Sequence, residues 1–188
     1  MGRKKRIWLP NYFYHVVCRG NRRDPLFKDA ADFLTFMYIL RKVYEKTPFE
    51  LASYCLMTNH FHLQLRSRDY PISKIMSLIN KRYANYYNTR YHLTGHVYEK
   101  RYYDKMIDFG TGMLEVSRYI HLNPVRANMV SLPQEYPWSS YLHYQNQTFI
   151  RYPFINHDIL LEHFLGELDQ KVEKYCQYVI ELQIEEST

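Results

Sequence analysis

The stretch YCLMTNHFHLQL (residues 54–65) is where the fold can be read. In an extended chain alternate residues share a face, so His60, His62 and Gln64 project to one side while Phe61, Leu63 and Leu65 enter a core on the other. Thr58-Asn59 separates this segment from the apolar run 50–57, and the pair reads as an antiparallel hairpin over 50–57 and 60–67. Upstream, YFYHVVCR (12–19) is aromatic and β-branched and runs into Gly20-Asn21, the signature of a further strand and its turn. Between them, residues 29–46 place Phe33, Phe36, Met37, Leu40, Val43 and Tyr44 at three- and four-residue intervals, which predicts an amphipathic helix.

Downstream, residues 72–91 predict a second helix with Ile75, Met76, Ile79, Tyr83 and Tyr86 on one side, and 96–108 return to strand-like content. Gly110-Thr111-Gly112 then offers a cap for a third helix carrying Leu114, Val116 and Ile120. The order β, α, β, β, α, β predicts an α+β, ferredoxin-like (split βαβ) antiparallel sheet with helices on one side, plus an added helix. Residues 1–145 are expected to form this domain and 146–188 a C-terminal helical extension packed on it, with 157–186 an acidic helical tail.

Composition narrows the function classes. The chain has 188 residues, 46% of them hydrophobic, and net charge +6, with no apolar run of bilayer-spanning length and no signal-type segment at its N-terminus, so a cytoplasmic protein is expected. Cys18, Cys55 and Cys176 are odd in number and lack CxxC spacing, which fits a reducing compartment and speaks against a zinc knuckle. Eight Lys/Arg against one acidic residue in 1–28, and seven against two in 72–105, face a tail with eight acidic residues and two Lys in 157–188. Twenty tyrosines interleave with the basic stretches, as in KRYANYYNTRY (81–91) and YEKRYY (98–103). Cations beside aromatic rings describe a single-strand nucleic-acid groove, and equally a solvated helix face with tyrosines at the core edge. Lys81, Arg82, Arg90, Arg101, Arg118 and Arg126 are the candidate phosphate contacts, and Arg3-Lys4-Lys5-Arg6 is either a phosphate-binding arm or a solvated end.

Two imidazoles two residues apart on one strand could chelate a divalent ion, although such pairs are also common as plain structure. In RYIHLNPVRANMV (118–130), Tyr119 and Asn123 are four apart and share a helix face. If that face covers the sheet beside His60 and His62, Asn123 could complete a three-ligand site and Tyr119 could reach a phosphate there. Pro124 disfavours helical geometry at Asn123, which could instead terminate the helix. Tyr83, Tyr86 and Tyr87 are alternative nucleophiles by residue type, better suited to stacking or packing. His15, His92, His96 and His121 are expected to be structural or close to DNA.

YHVVCRGNRRDPLF (14–27), YCLMTNHFHLQL (54–65), INKRYANYYNTRYHLTGHVYEKRY (79–102), RYIHLNPVRANMV (118–130) and YPWSSY (136–141) together resemble the HUH-type single-tyrosine transposases, and among them the REP-associated tyrosine transposases. The resemblance implies His60 and His62 as metal ligands, Tyr119 as nucleophile, Mg²⁺ or Mn²⁺ as the ion and hairpin-bearing single-stranded DNA as the partner. It also implies a strand-cleaving and strand-joining endonuclease that works through a 5′-phosphotyrosine. Insertion-sequence relatives place a glutamine four residues after the tyrosine, where this chain has the shorter Asn123. A monomer is expected over a homodimer. The competing readings are a non-catalytic single-strand binder of ferredoxin-like fold and a hydrolase in which a metal activates water.

Overall fold

A computed structural model describes residues 7–108, 110–145 and 152–185. The basic run at 3–6 lies outside the described residues. Four strands, β1 (Tyr14–Arg19), β2 (Glu50–Met57), β3 (His60–Arg66) and β4 (Tyr103–Met106), form one antiparallel sheet in the order β2-β3-β1-β4. Helices α1 (Ala30–Tyr44) and α2 (Ile72–Tyr91) are the crossovers expected for a ferredoxin-like chain. Their apolar stripes, with Phe36, Leu40, Ile75, Ile79 and Tyr83, join Val16, Leu56, Phe61 and Leu63 in one core on a single face of the sheet.

Side-chain chemistry fixes how α1 and α2 lie together. Asp29 caps α1 by accepting from the backbone N–H groups of Ala31 and Asp32. Asp32, fully buried, accepts from the Lys28 backbone N–H and the Tyr86 and Tyr91 hydroxyls, and Arg90 bonds both Asp32 and Asp29 at 2.6 Å. A buried carboxylate so paired is stable in place, whereas the same carboxylate alone is strongly unfavourable. Tyr83 and Tyr87 donate to the carbonyls of Leu26 and Pro25, so the tyrosine run of α2 is packing that ties the helix to the segment before α1.

The opposite sheet face is covered by α3 (Thr111–Arg126), α4 (Tyr141–Gln145), α5 (Asp158–Leu161) and α6 (Leu168–Glu185). Met113, Leu122, Tyr141, Tyr144, Leu160, Tyr175 and Val179 pack there with Ala52 and Ile107, and Ile120 packs with Cys55 and Met57. Two expectations are corrected, those for β4 and for Asn123. Strand β4 takes only four residues of the strand-like stretch 96–108, because 92–102 run as a loop that touches the sheet through a Gly20–Tyr98 bridge. The tail contains two helices, separated where Gly166 adopts φ 123°. Asn123 does not terminate α3: the helix carries Pro124 and continues to Arg126, with the Ala127 N–H donating to the Asn123 carbonyl.

Candidate active site on the α3 face of the sheet

Strand register decides which side chains meet. In β1, His15, Val17 and Arg19 lie opposite Gln64, His62 and His60 of β3, and His15 and Val17 lie opposite Lys105 and Tyr103 of β4. Opposed residues of an antiparallel pair share a face, so this face collects three imidazoles, Arg19, Lys105 and the half-exposed ring of Tyr103. Against it stands α3, seated by Gln64, whose Nε2 donates to the Met113 carbonyl while its Oε1 accepts from the Ser53 hydroxyl.

Tyr119 projects from α3 onto the histidines. Its ring meets the His62 ring edge-on at 5.7 Å and the His15 ring at 5.7 Å, and the His60 and His62 rings are 4.9 Å apart. Tyr119 is 42% exposed, so the phenol is supported from below and open to solvent. Asn123 Nδ2 donates to the Tyr119 carbonyl at 2.7 Å. A carbonyl accepts only from the NH₂ end of an amide, so Asn123 Oδ1 is the end turned away from that bond.

Burial sets the charge of the histidines. The His60 imidazole is held down to about 4 by desolvation and then by Arg19. His62 is pushed to about 2 by desolvation, then by His60, His15 and Arg19, and His15 to about 4 by desolvation and Lys105. All three are neutral at pH 7, the form in which imidazole offers a lone pair. His60 Nδ1 lies 2.7 Å from Asn59 Oδ1, an acceptor only, so the proton sits on Nδ1 and Nε2 carries the lone pair. Asn59 is itself anchored through Nδ2 to the Arg23 carbonyl. His62 Nδ1 lies 2.9 Å from His15 Nε2, and His62 Nε2 is buried without a hydrogen-bond partner.

Among the described residues no three His, Cys, Asp or Glu side chains form a metal-holding group. The residues that could hold a cation are His60 and His62, with Asn123 on the helix that covers them. A buried, unpartnered imidazole nitrogen is unfavourable as it stands, and that is the observation favouring a cation here.

The expected cations divide into groups. Arg126 lies with its guanidinium 5.6 Å from the Tyr119 ring. Lys81 and Arg101 line a cleft of about 1330 Å³ between α2 and residues 95–104, together with Trp8 and Tyr98, while Arg82 is half-buried elsewhere on α2. Arg118 is turned to the tail, 4.3 Å from the Tyr178 ring. Arg90 is engaged by Asp29 and Asp32, so its charge is already neutralised within the chain. His121 is fully buried, while His92 and His96 are exposed outside the site.

Residue reasoning passed over Arg19, Lys105 and Asn59, and left His15 as structural or close to DNA. The alternation in YHVVCR puts His15 and Arg19 on one face, but only the register across β1 and β3 brings that face to His62.

A profile of the family described as "Transposase IS200 like" matches residues 9–123, more than half of the chain. The chain belongs to that family. The matched span runs from the approach to β1 through Asn123, so it contains the histidine pair and Tyr119. A Haemophilus influenzae protein named as a REP-associated tyrosine transposase is 22% identical over 143 residues, covering 69% of this chain and 78% of that one. The fold is shared with a solved structure described as the REP-associated tyrosine transposase bound to a REP hairpin: TM-score 0.68 and 18% identity, over 89% of this chain and 93% of that one. No helix of the described residues is long and apolar enough to cross a membrane.

Proposed function

We propose that this IS200-like transposase cleaves and rejoins hairpin-bearing single-stranded DNA, with Tyr119 as the covalent nucleophile. The observation that carries the reading is the convergence of residues nearly sixty positions apart in the chain: the Tyr119 ring stands edge-on to His62, beside His60, on the face where Arg19, Lys105 and Arg126 gather. Packing alone does not account for such a group, since the tyrosine is 42% exposed and one buried imidazole nitrogen has no partner among the described residues.

The chemistry follows from what these side chains can do. A phosphodiester resists attack because its anionic oxygens repel nucleophiles, so positive charge must meet those oxygens as the reaction proceeds. Mg²⁺ or Mn²⁺ held by His60, His62 and Asn123 would supply that charge. Arg19, Lys105 and Arg126 bind the flanking phosphates and orient the strand. The Tyr119 hydroxyl oxygen then bonds to phosphorus in line with the 3′-oxygen, which departs as a 3′-OH carrying the equivalent of the phenol's proton. The product is a 5′-phosphotyrosine. Because one phosphodiester has been exchanged for another, a different 3′-OH can reverse the step and join new ends without a nucleotide cofactor. The partner hairpin is read by analogy with the REP hairpin bound by the structural relative.

The test is a denaturing gel of the full chain with Mn²⁺ and end-labelled hairpin-bearing single-stranded DNA. A covalent protein–DNA band, absent for Tyr119→Phe, is expected. Free cleavage products with no adduct would favour water as nucleophile, and retention without cleavage would favour a binding protein.

A further inference from the structure

His62 and His60 differ in how their tautomers are set. Asn59 Oδ1 can only accept, so His60 has one possible proton position. His62 Nδ1 instead faces another imidazole nitrogen, His15 Nε2, at 2.9 Å. One proton lies between those two nitrogens, and two arrangements are open. If His15 Nε2 carries it, neutral His62 must bear its own proton on Nε2, which seals that nitrogen as a donor. If His62 Nδ1 carries it, His62 Nε2 is a bare lone pair and His15 bears its proton on Nδ1.

We propose that His15 is a positioning residue of this site: its Nε2 accepts the His62 Nδ1–H and so keeps the His62 Nε2 lone pair presented beside Tyr119. The inference rests on the reading of His60 and His62 as cation ligands and adds to it a residue from a different strand. Three features of the geometry carry it. The two rings lie side by side and nearly coplanar, inclined by 23° with centroids 5.2 Å apart, so the bond to His15 fixes the plane of His62 as well as its proton. His62 Nε2 is buried with no acceptor within hydrogen-bond reach, so a proton placed there would be an unsatisfied donor, whereas a lone pair there can meet a cation. His15 also lies edge-on to Tyr119 at 5.7 Å, so a single side chain sets the ligand below and supports the phenol above. A ligating imidazole whose second nitrogen donates to a fixed acceptor is the usual arrangement at metal sites, and loss of that acceptor typically weakens metal binding by about ten- to a hundredfold.

The experiment reads nitrogens first and metal second. In metal-free, ¹⁵N-labelled full-length protein, long-range ¹H–¹⁵N imidazole spectra, with the His62 signals assigned by loss in His62→Ala, are expected to show Nδ1 protonated and Nε2 unprotonated. Mn²⁺ titration by calorimetry is expected to show about ten- to a hundredfold weaker binding for His15→Phe, and recovery of most of the affinity in His15→Gln, whose side-chain oxygen can accept the same proton. Far-ultraviolet circular dichroism and the thermal midpoint establish that each variant is folded. A proton on His62 Nε2 in the wild-type protein overturns the proposal, as does wild-type Mn²⁺ affinity in folded His15→Phe. The metal-free spectrum decides the role of His15 even if the wild-type chain takes up no Mn²⁺, an outcome that would fall on the ligand reading alone.

Discussion

At the scale of single residues, the site works by keeping imidazoles neutral and aimed. His60→Ala or His62→Ala is expected to reduce adduct formation at least a hundredfold, while affinity for the hairpin DNA, measured without metal by fluorescence anisotropy, changes by less than about threefold, because phosphate contacts with Lys and Arg dominate affinity. Asn123→Leu keeps the volume but removes the oxygen, and weaker Mn²⁺ binding by calorimetry is the expected result; unchanged binding would remove Asn123 from the ligand set. Two imidazole nitrogens are softer donors than oxygen, so Mn²⁺ should bind more tightly than Mg²⁺. The sequence carries His60, His62 and Tyr119 plainly, since each sits in a compact motif. It conceals His15, because which histidine an imidazole on β1 meets depends on the pairing of two strands, and one-residue slips change every such contact.

At the scale of elements, α1 and α2 are joined by a carboxylate that has no solvent. Asp32→Ala removes the acceptor of four groups at a fully buried position, and a loss of about 3 kcal/mol is expected by urea unfolding. Arg90→Ala should lower stability yet leave DNA affinity unchanged in the folded protein, since that guanidinium faces Asp29 and Asp32; a marked loss of affinity would return Arg90 to the DNA surface. The bounds of α2 and β2 were legible because uninterrupted periodicity and flanking Pro or turn residues mark their ends. β4 was not, because the aromatic and basic content of 96–102 resembles a strand while its backbone is used to bridge Gly20 and to line the cleft beside α2. The acidic tail read as helical because its apolar residues keep helical spacing through Gly166, the point where the chain turns between α5 and α6.

At the scale of the whole molecule, acid should lower the stability of the fold, because His15, His60 and His62, like two histidines under the tail, are held below their ordinary value by desolvation. His121 is fully buried and His143 mostly so, and desolvation holds them at about 3 and about 4, below the ordinary 6.5. The unfolded chain therefore takes up protons first: stability is full above pH 6.5 and is lost as pH falls through 6.5 toward 4. Thermal midpoints recorded over that range should decline, and His121→Gln should flatten the decline; a midpoint indifferent to pH would contradict this account. DNA affinity should weaken on the order of tenfold to a hundredfold as salt rises fourfold, the slope expected of three or four phosphate contacts.

His121 has one more consequence. Its Nδ1 meets the Tyr175 hydroxyl of α6 and its Nε2 meets Ser140 Oγ, which in turn bonds the backbone of Tyr54 in β2. The helix bearing Tyr119 is thus bolted from behind to both the sheet and the tail. For the reaction proposed, such anchoring favours a phenol held in one place, to which the next strand end is brought.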